Sequence, residues 1–262
     1  MYWTAVVMLS NTPTFFKLPY ALLETASDLN YAPATISIVR FLLLSLRNGP
    51  RDPMFKTAGG RFVERLNMLA RAGHPDALTV QGHIRYLLED YRGALQSLSL
   101  AIKSGNSGGD VYAPVMAKQE VKTATGEGHS MEGQRRPKWS TEAACHLDRG
   151  RVLVQVGDRT AAEASFRTAA LELDSPTAYL ELGKLLPMDS TERGEFLLKA
   201  VVSGNLDACV ELAHSCMAKS LDGGVSQEEK KDLELWAAEW LSIGGLAERA
   251  EATTQAPANA SR

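Results

Sequence analysis

Cys209, His214 and Cys216 make the densest group of nucleophile and metal-ligand types in the chain. Seven residues apart, the two cysteines share one face of a helix while His214 points elsewhere, and a closed zinc site needs four suitable ligands. The pair therefore reads as two small buried hydrophobes. Cys145 stands beside His146, but adjacent helical residues point about 100° apart, so thiol and imidazole cannot form the hydrogen bond of a nucleophile and its base. His74 falls in a turn and His129 in a polar stretch, neither with a partner identifiable from sequence. The run Gly105 to Asp110 has the glycines of a phosphate loop, yet no Gly-Lys-Ser/Thr follows and no hydrophobic strand precedes it. Asp and Glu are spread along helix faces without a pair that spacing promotes to acid and base. No catalytic residue, metal ligand or cofactor is expected, and a Cys/His-dependent enzyme is the weakest of the functional readings.

The elements that carry these residues repeat. Gly82, Ala94, Leu98 and Ala101 step by the same twelve, four and three residues as Gly150, Ala162, Phe166 and Ala169. Small residues on two successive helices let their axes approach to about 8–10 Å, and the larger Leu98 or Phe166 between two alanines fills the groove and supplies buried area. A second echo pairs Gly73-His74-Pro75-Asp76-Ala77 with Gly204-Asn205-Leu206-Asp207-Ala208. Each predicts a tight turn in which glycine takes the left-handed cap conformation, with Pro75 opening the next helix. Asn30-Tyr31-Ala32-Pro33-Ala34 is a third copy in which Asn replaces Gly. Ser226-Gln227-Glu228-Glu229 fits a capping box, and Gly223-Gly224 ends the helix before it.

Periodicity predicts helices near 15–29, 32–47, 57–72, 75–88, 91–103, 141–156, 159–173, 177–186, 190–203, 206–219 and 227–243, with no competing strands. Residues 104–140, rich in Gly, Ser, Lys and Glu, read as a long loop or linker between N-terminal repeats over 1–103 and C-terminal repeats over 141–251. The small, polar residues 252–262 read as a disordered tail.

These patterns resemble the tetratricopeptide and Sel1-like repeat families of helix-turn-helix solenoids, over about two thirds of the chain by their helical-pair count. Gly150 to Ala169, with Gly157 at the hairpin turn, carries the tetratricopeptide likeness. Ala178, Leu182-Gly183 and the Ala200 to Ala208 segment look more like Sel1-like repeats, with a shortened turn around Pro187. Arg85 and Leu153 stand where the family usually has an aromatic residue, and the tryptophan near the repeat start is missing. The resemblance implies an all-α, right-handed α-solenoid of stacked hairpins. It also implies a concave groove faced by the residue after each repeat glycine, namely His83, Arg151 and Lys184. An acidic peptide or a C-terminal carboxylate would suit that groove, Arg151 binding it bidentately; the alternative is three solvated or locally paired side chains. Trp236 and Trp240, four apart, are expected to share a buried face that seals the solenoid end. Exposed instead, they become a protein-binding hot spot.

Composition narrows the function classes. The chain has 262 residues, 45% of them hydrophobic, and Lys+Arg 28 against Asp+Glu 31 leaves a net charge of -3. That balance disfavours general nucleic-acid affinity. Three cysteines are too few and too irregular for a disulfide framework, which points to a reducing, intracellular setting, cytoplasm or mitochondrion. Apolar stretches such as Phe41 to Leu46 fall far short of the roughly 18 residues of a membrane span. Residues 1–16 include Ala5-Val6-Val7-Met8-Leu9 with no preceding basic residues and without the arginines of a transit peptide; either the address is unreadable or, as expected here, the chain begins inside a helix. The leading expectation is a non-catalytic scaffold for a protein or peptide partner. An organelle assembly or RNA-processing factor is the alternative that family analogy suggests.

Overall fold

A computed structural model describes residues 17–48, 53–107, 135–188 and 190–245. Among them the chain is all-α and without strands. Its eleven helices are α1 (Lys17–Asp28), α2 (Ala32–Asn48), α3 (Pro53–Arg71), α4 (Pro75–Leu87), α5 (Tyr91–Asn106), α6 (Glu142–Gln155), α7 (Arg159–Arg167), α8 (Pro176–Leu185), α9 (Thr191–Val202), α10 (Asp207–Ser220) and α11 (Gln227–Ile243). A π turn, Thr168–Glu172, continues α7. Each expected segment is occupied by one of these helices. None of the described helices is long and apolar enough to cross a membrane. The expectations for residues 1–16 and 252–262 lie outside the described residues.

The chain parts into two compact units, residues 1–129 with 136–156 and residues 130–135 with 157–262. The first holds α1 to α6, so α6 belongs with the N-terminal helices; its core includes Leu23, Ile38, Val39, Phe62, Leu66 and Leu98. The second holds α7 to α11 around Phe166, Leu182, Leu197 and Cys209.

Four helix ends share one hydrogen-bonding scheme. After α3, His74 N donates to Leu69 O and Gly73 N to Ala70 O, both at 3.0 Å, with Gly73 at φ +82°. This is the Schellman arrangement, which satisfies orphan carbonyls by turning one residue left-handed. The same two bonds recur around Gly204 after α9 and around Asn30 after α1, where φ is +60°. Asn therefore does stand in for Gly, as its tolerance of this region allows. The scheme also occurs after α4 with Glu89 at φ +60°, a site without any glycine or asparagine to announce it. Side-chain caps open α5, α7 and α11: Asp90 Oδ1 accepts from Gly93 N, Asp158 Oδ1 from Ala161 N and Ser226 Oγ from Glu229 N.

Between paired helices the contact is a notch. A Cβ placed on Gly82 of α4 would sit 2.6 Å from Leu98 Cγ on α5, and one on Gly183 of α8 would sit 2.7 Å from Leu197 Cδ2 on α9. Ala94, Leu98 and Ala101 are fully buried beside the first notch. Gly150, Ala162, Phe166 and Ala169 are buried as their spacing predicts. After Gly183 the turn is two residues shorter, because Leu186 is extended ahead of Pro187. That shift aligns Arg193, Leu197 and Ala200 with Ala94, Leu98 and Ala101, and puts a buried arginine where the earlier repeats have alanine. Arg193 Nη1 donates to Gly183 O at 2.8 Å and its Nη2 to Glu211 Oε2 at 2.8 Å. The guanidinium thus closes the open carbonyls of α8 and ties α9 to α10.

Residues 104–140 correct the expectation of a plain loop at both ends. Helix α5 continues to Asn106, and Gly105 is bare because the indole of Trp139 lies against it. Trp139 is buried, Lys138 N donates to Glu142 Oε2 at 2.6 Å, and Asp76 Oδ1 accepts from Ser140 Oγ, Thr141 N and Thr141 Oγ1, each at 2.8 Å. A flat aromatic seat and one carboxylate with three donors therefore anchor the entry to α6 on α4 and α5. Residues 108–134 lie outside the described residues.

The two kinds of glycine fail differently when given a side chain. A Cβ on Gly204 meets open space, so Gly204→Ala loses only backbone energy, about 1–2 kcal/mol in urea unfolding. Gly82→Ala overpacks its notch at a cost of about 1–3 kcal/mol. That loss shrinks in the Leu98→Ala background, whereas the Gly204→Ala loss does not. Glu89→Gly is expected to stabilise by up to about 1 kcal/mol, since it relieves the left-handed strain; a fall in stability would contradict the geometry at that turn.

Candidate functional site

Two polar features of the first unit merit a functional reading. The first gathers two of the three residues expected to form a basic ladder. On α6, Asp148 presents a side chain only 7% exposed, and its Oδ2 lies 2.9 Å from Nδ1 of His83 on α4. A carboxylate accepts, so the imidazole donates through Nδ1. Arg151 Nη1 lies 3.8 Å from Asp148 Oδ1, one turn further along α6. Asp148 thus pairs locally with two of the three residues, the alternative to a basic ladder, and it links α4 to α6. The i,i+3 spacing of Asp148 and Arg151 was legible in sequence; the approach of His83 from 65 residues away was not. Lys184 lies in the second unit, where its side chain is exposed.

The second feature is a groove of about 480 Å³ between α3, α4 and α5. Ala70, Leu78 and Leu100 give it apolar walls; Asn67, Arg71, Gln81, Arg85, Gln96 and Ser97 supply the polar groups. A chain of hydrogen bonds crosses the three helices: Arg85 Nη1 donates to Gly93 O at 2.9 Å and Ser97 Oγ at 3.1 Å, Ser97 Oγ to Gln81 Oε1 at 3.2 Å, and Gln81 Nε2 to Asn67 Oδ1 at 3.1 Å. Among the described residues no carboxylate lines the groove. The one sequence signal for it was Arg85 at a repeat position that Leu153, buried, fills in the next copy.

On α11 the expected aromatic seal is corrected. Ala237 is the buried residue of this helix, and it defines the line of contact. Trp240 lies three residues on, near that line, and is half-buried, while Trp236, about 100° round the helix, is 54% exposed. Leu235 and Ile243 are exposed with it.

All three cysteines are free. Burial pushes the Cys145 thiol up to about 12, and it raises those of Cys209 and Cys216 as well. A raised thiol is a poor nucleophile at neutral pH, because the thiolate is the reactive form. Cys145 Sγ instead faces Leu98 O at 3.5 Å across the joint of α5 and α6. Among the described residues no three His, Cys, Asp or Glu side chains are grouped to hold a metal ion. His74, buried where α3 turns into α4, is shifted the other way: desolvation lowers its pKa below 6.5 against a smaller opposing effect of Asp76.

Comparison with known protein families finds no match, and no curated protein matches the chain.

Three measurements follow from these environments. Iodoacetamide at pH 8 is expected to label Cys145 only after unfolding; rapid labelling of the folded chain would contradict its raised thiol. Asp148→Ala should cost about 2 kcal/mol, because His83 and Arg151 lose a shared acceptor, while Asp148→Asn, which keeps one, should cost less. His74 is disfavoured as a cation in the folded state, so its contribution is complete above pH 6.5 and is lost as the pH falls below that value. His74→Asn should flatten that part of the pH–stability curve.

Proposed function

We propose that the chain is a non-catalytic scaffold, a right-handed α-solenoid of stacked hairpins similar to tetratricopeptide and Sel1-like repeats, that holds a protein or peptide partner along its helical surface. The observation that carries this reading is the recurrence of one joint in both units: Gly82 under Leu98 and Gly183 under Leu197. Repeats joined in this way have their hydrophobic residues committed to neighbouring helices, and they offer an extended polar surface on which affinity is summed over many contacts. Lys184, which follows one of those glycines and is exposed, is available to a partner. The exposed Trp236 offers the type of residue that dominates binding energy at protein interfaces.

The test is affinity purification of the tagged full-length chain with chemical crosslinking. One or a few proteins should be enriched reproducibly, with crosslinks on the helical repeats. Lys184→Glu combined with Arg151→Gln should reduce capture several-fold while the circular dichroism and melting temperature stay close to those of the parent. Glutamine is chosen at 151 because a carboxylate there would repel Asp148. Recovery of no specific protein would remove the scaffold reading, and undiminished capture by the double variant would remove these two cations from the surface that binds.

A further inference from the structure

We infer that the groove between α3, α4 and α5 is a binding site for an acidic peptide segment in extended conformation, its carboxylates meeting Arg71 and Arg85 and its backbone meeting side-chain amides. The inference rests on the scaffold reading and names a partner class and a site for it.

Arg71 and Arg85 both line the groove, and among the described residues neither has a carboxylate within ion-pair distance. Among the described residues, partly buried Arg65 is paired with Asp28 and Arg167 with Glu192, and buried Arg193 is paired with Glu211. Arg85 is partly buried and held only by the neutral acceptors Gly93 O and Ser97 Oγ. Its charge, half removed from water and uncompensated, is strongly complementary to an incoming anion.

The arginine is also preorganised. Ser97, 2% exposed, holds Arg85 and is itself held by Gln81, which is held by Asn67. One face of the guanidinium is therefore fixed before any ligand arrives, which lowers the ordering cost of binding. Nε and Nη2 of Arg85 meet no acceptor among the described residues.

A peptide suits the groove better than an inorganic anion, which would leave the apolar wall of Ala70, Leu78 and Leu100 unused. An extended chain offers alternating N–H and C=O groups to Gln81, Gln96 and Asn67, and side chains to both the arginines and the apolar wall. The groove's volume lies within the range of ligand sites.

The probe is a fluorescein-labelled, acetylated octapeptide of alternating Glu and Leu, titrated with the full-length chain by fluorescence polarisation at low and moderate salt. The expected result is saturable binding that weakens with salt, falls about tenfold or more in Arg71→Glu, and is absent for the same peptide with Lys in place of Glu. Arg71 is exposed at the end of α3, so this variant should fold normally, as circular dichroism will verify. Arg85→Lys, which keeps the charge but loses the fork, should bind more weakly than the parent. No binding to the parent, equal binding of the Lys peptide, or an unchanged affinity in Arg71→Glu would each overturn the proposal. Displacement of the probe by millimolar inorganic phosphate would overturn the peptide assignment in favour of a phosphate-bearing ligand. If the peptide fails to bind while crosslinking still captures a partner equally with the parent and with Arg71→Glu, the groove is rejected and the scaffold reading stands. Failure of both experiments rejects both.

Discussion

Where α4 meets α5, the side chain of Leu98 fills the volume that a Cβ on Gly82 would need, and α8 meets α9 in the same manner through Gly183 and Leu197. Close approach of two helices is favourable only if nothing protrudes between the backbones, and a leucine pressed onto bare backbone buries its whole surface there. The flanking alanines, Ala94 and Ala101, extend the notch along α5. Other features depend on that approach. It brings Ser97 of α5 within reach of Gln81 and Arg85 of α4 and so organises the polar groove. In the second unit the same spacing places Arg193 over the end of α8, with its guanidinium on Gly183 O.

Polar groups are handled differently in the two units. In the first, two carboxylates each serve several donors: buried Asp148 takes His83 and Arg151, and partly buried Asp76 takes Ser140 and Thr141. Both join α4 to α6 or its entry, so α4 is the hub of that unit's polar contacts. In the second, the buried group is a cation, Arg193, satisfied by two backbone carbonyls, Glu211 and Ser215. Asp148 and Arg193 each have a charged partner as well as hydrogen bonds, the condition under which burial of a charge is tolerable, whereas Asp76 is held by neutral donors. Arg85 departs from this pattern, and its lack of a carboxylate directs attention to the groove.

Sequence alone determined the helical periodicity, the position of each turn with a glycine or asparagine, and the notch residues, because these follow from local rules. Small residues recur at helical spacing, left-handed turns exclude most side chains, and caps lie within three residues of the groups they satisfy. The buried state of Gly150, Ala162, Phe166 and Ala169 and the positive φ of Asn30 and Gly204 were legible for that reason.

Only the tertiary structure decided which polar side chains meet. His83 and Asp148 are 65 residues apart, and nothing near either one announces the other, because ion pairs form wherever packing leaves two groups adjacent and carry no sequence period. Trp139 looked like part of a linker until Gly105 was seen to be its seat. Trp236 looked like core until the contact line of α11 was seen to run through Ala237. A spacing of four residues states that two side chains share a face of a helix. Which face the rest of the protein covers is a property of the neighbouring helices, and that is settled only when all of them are packed together.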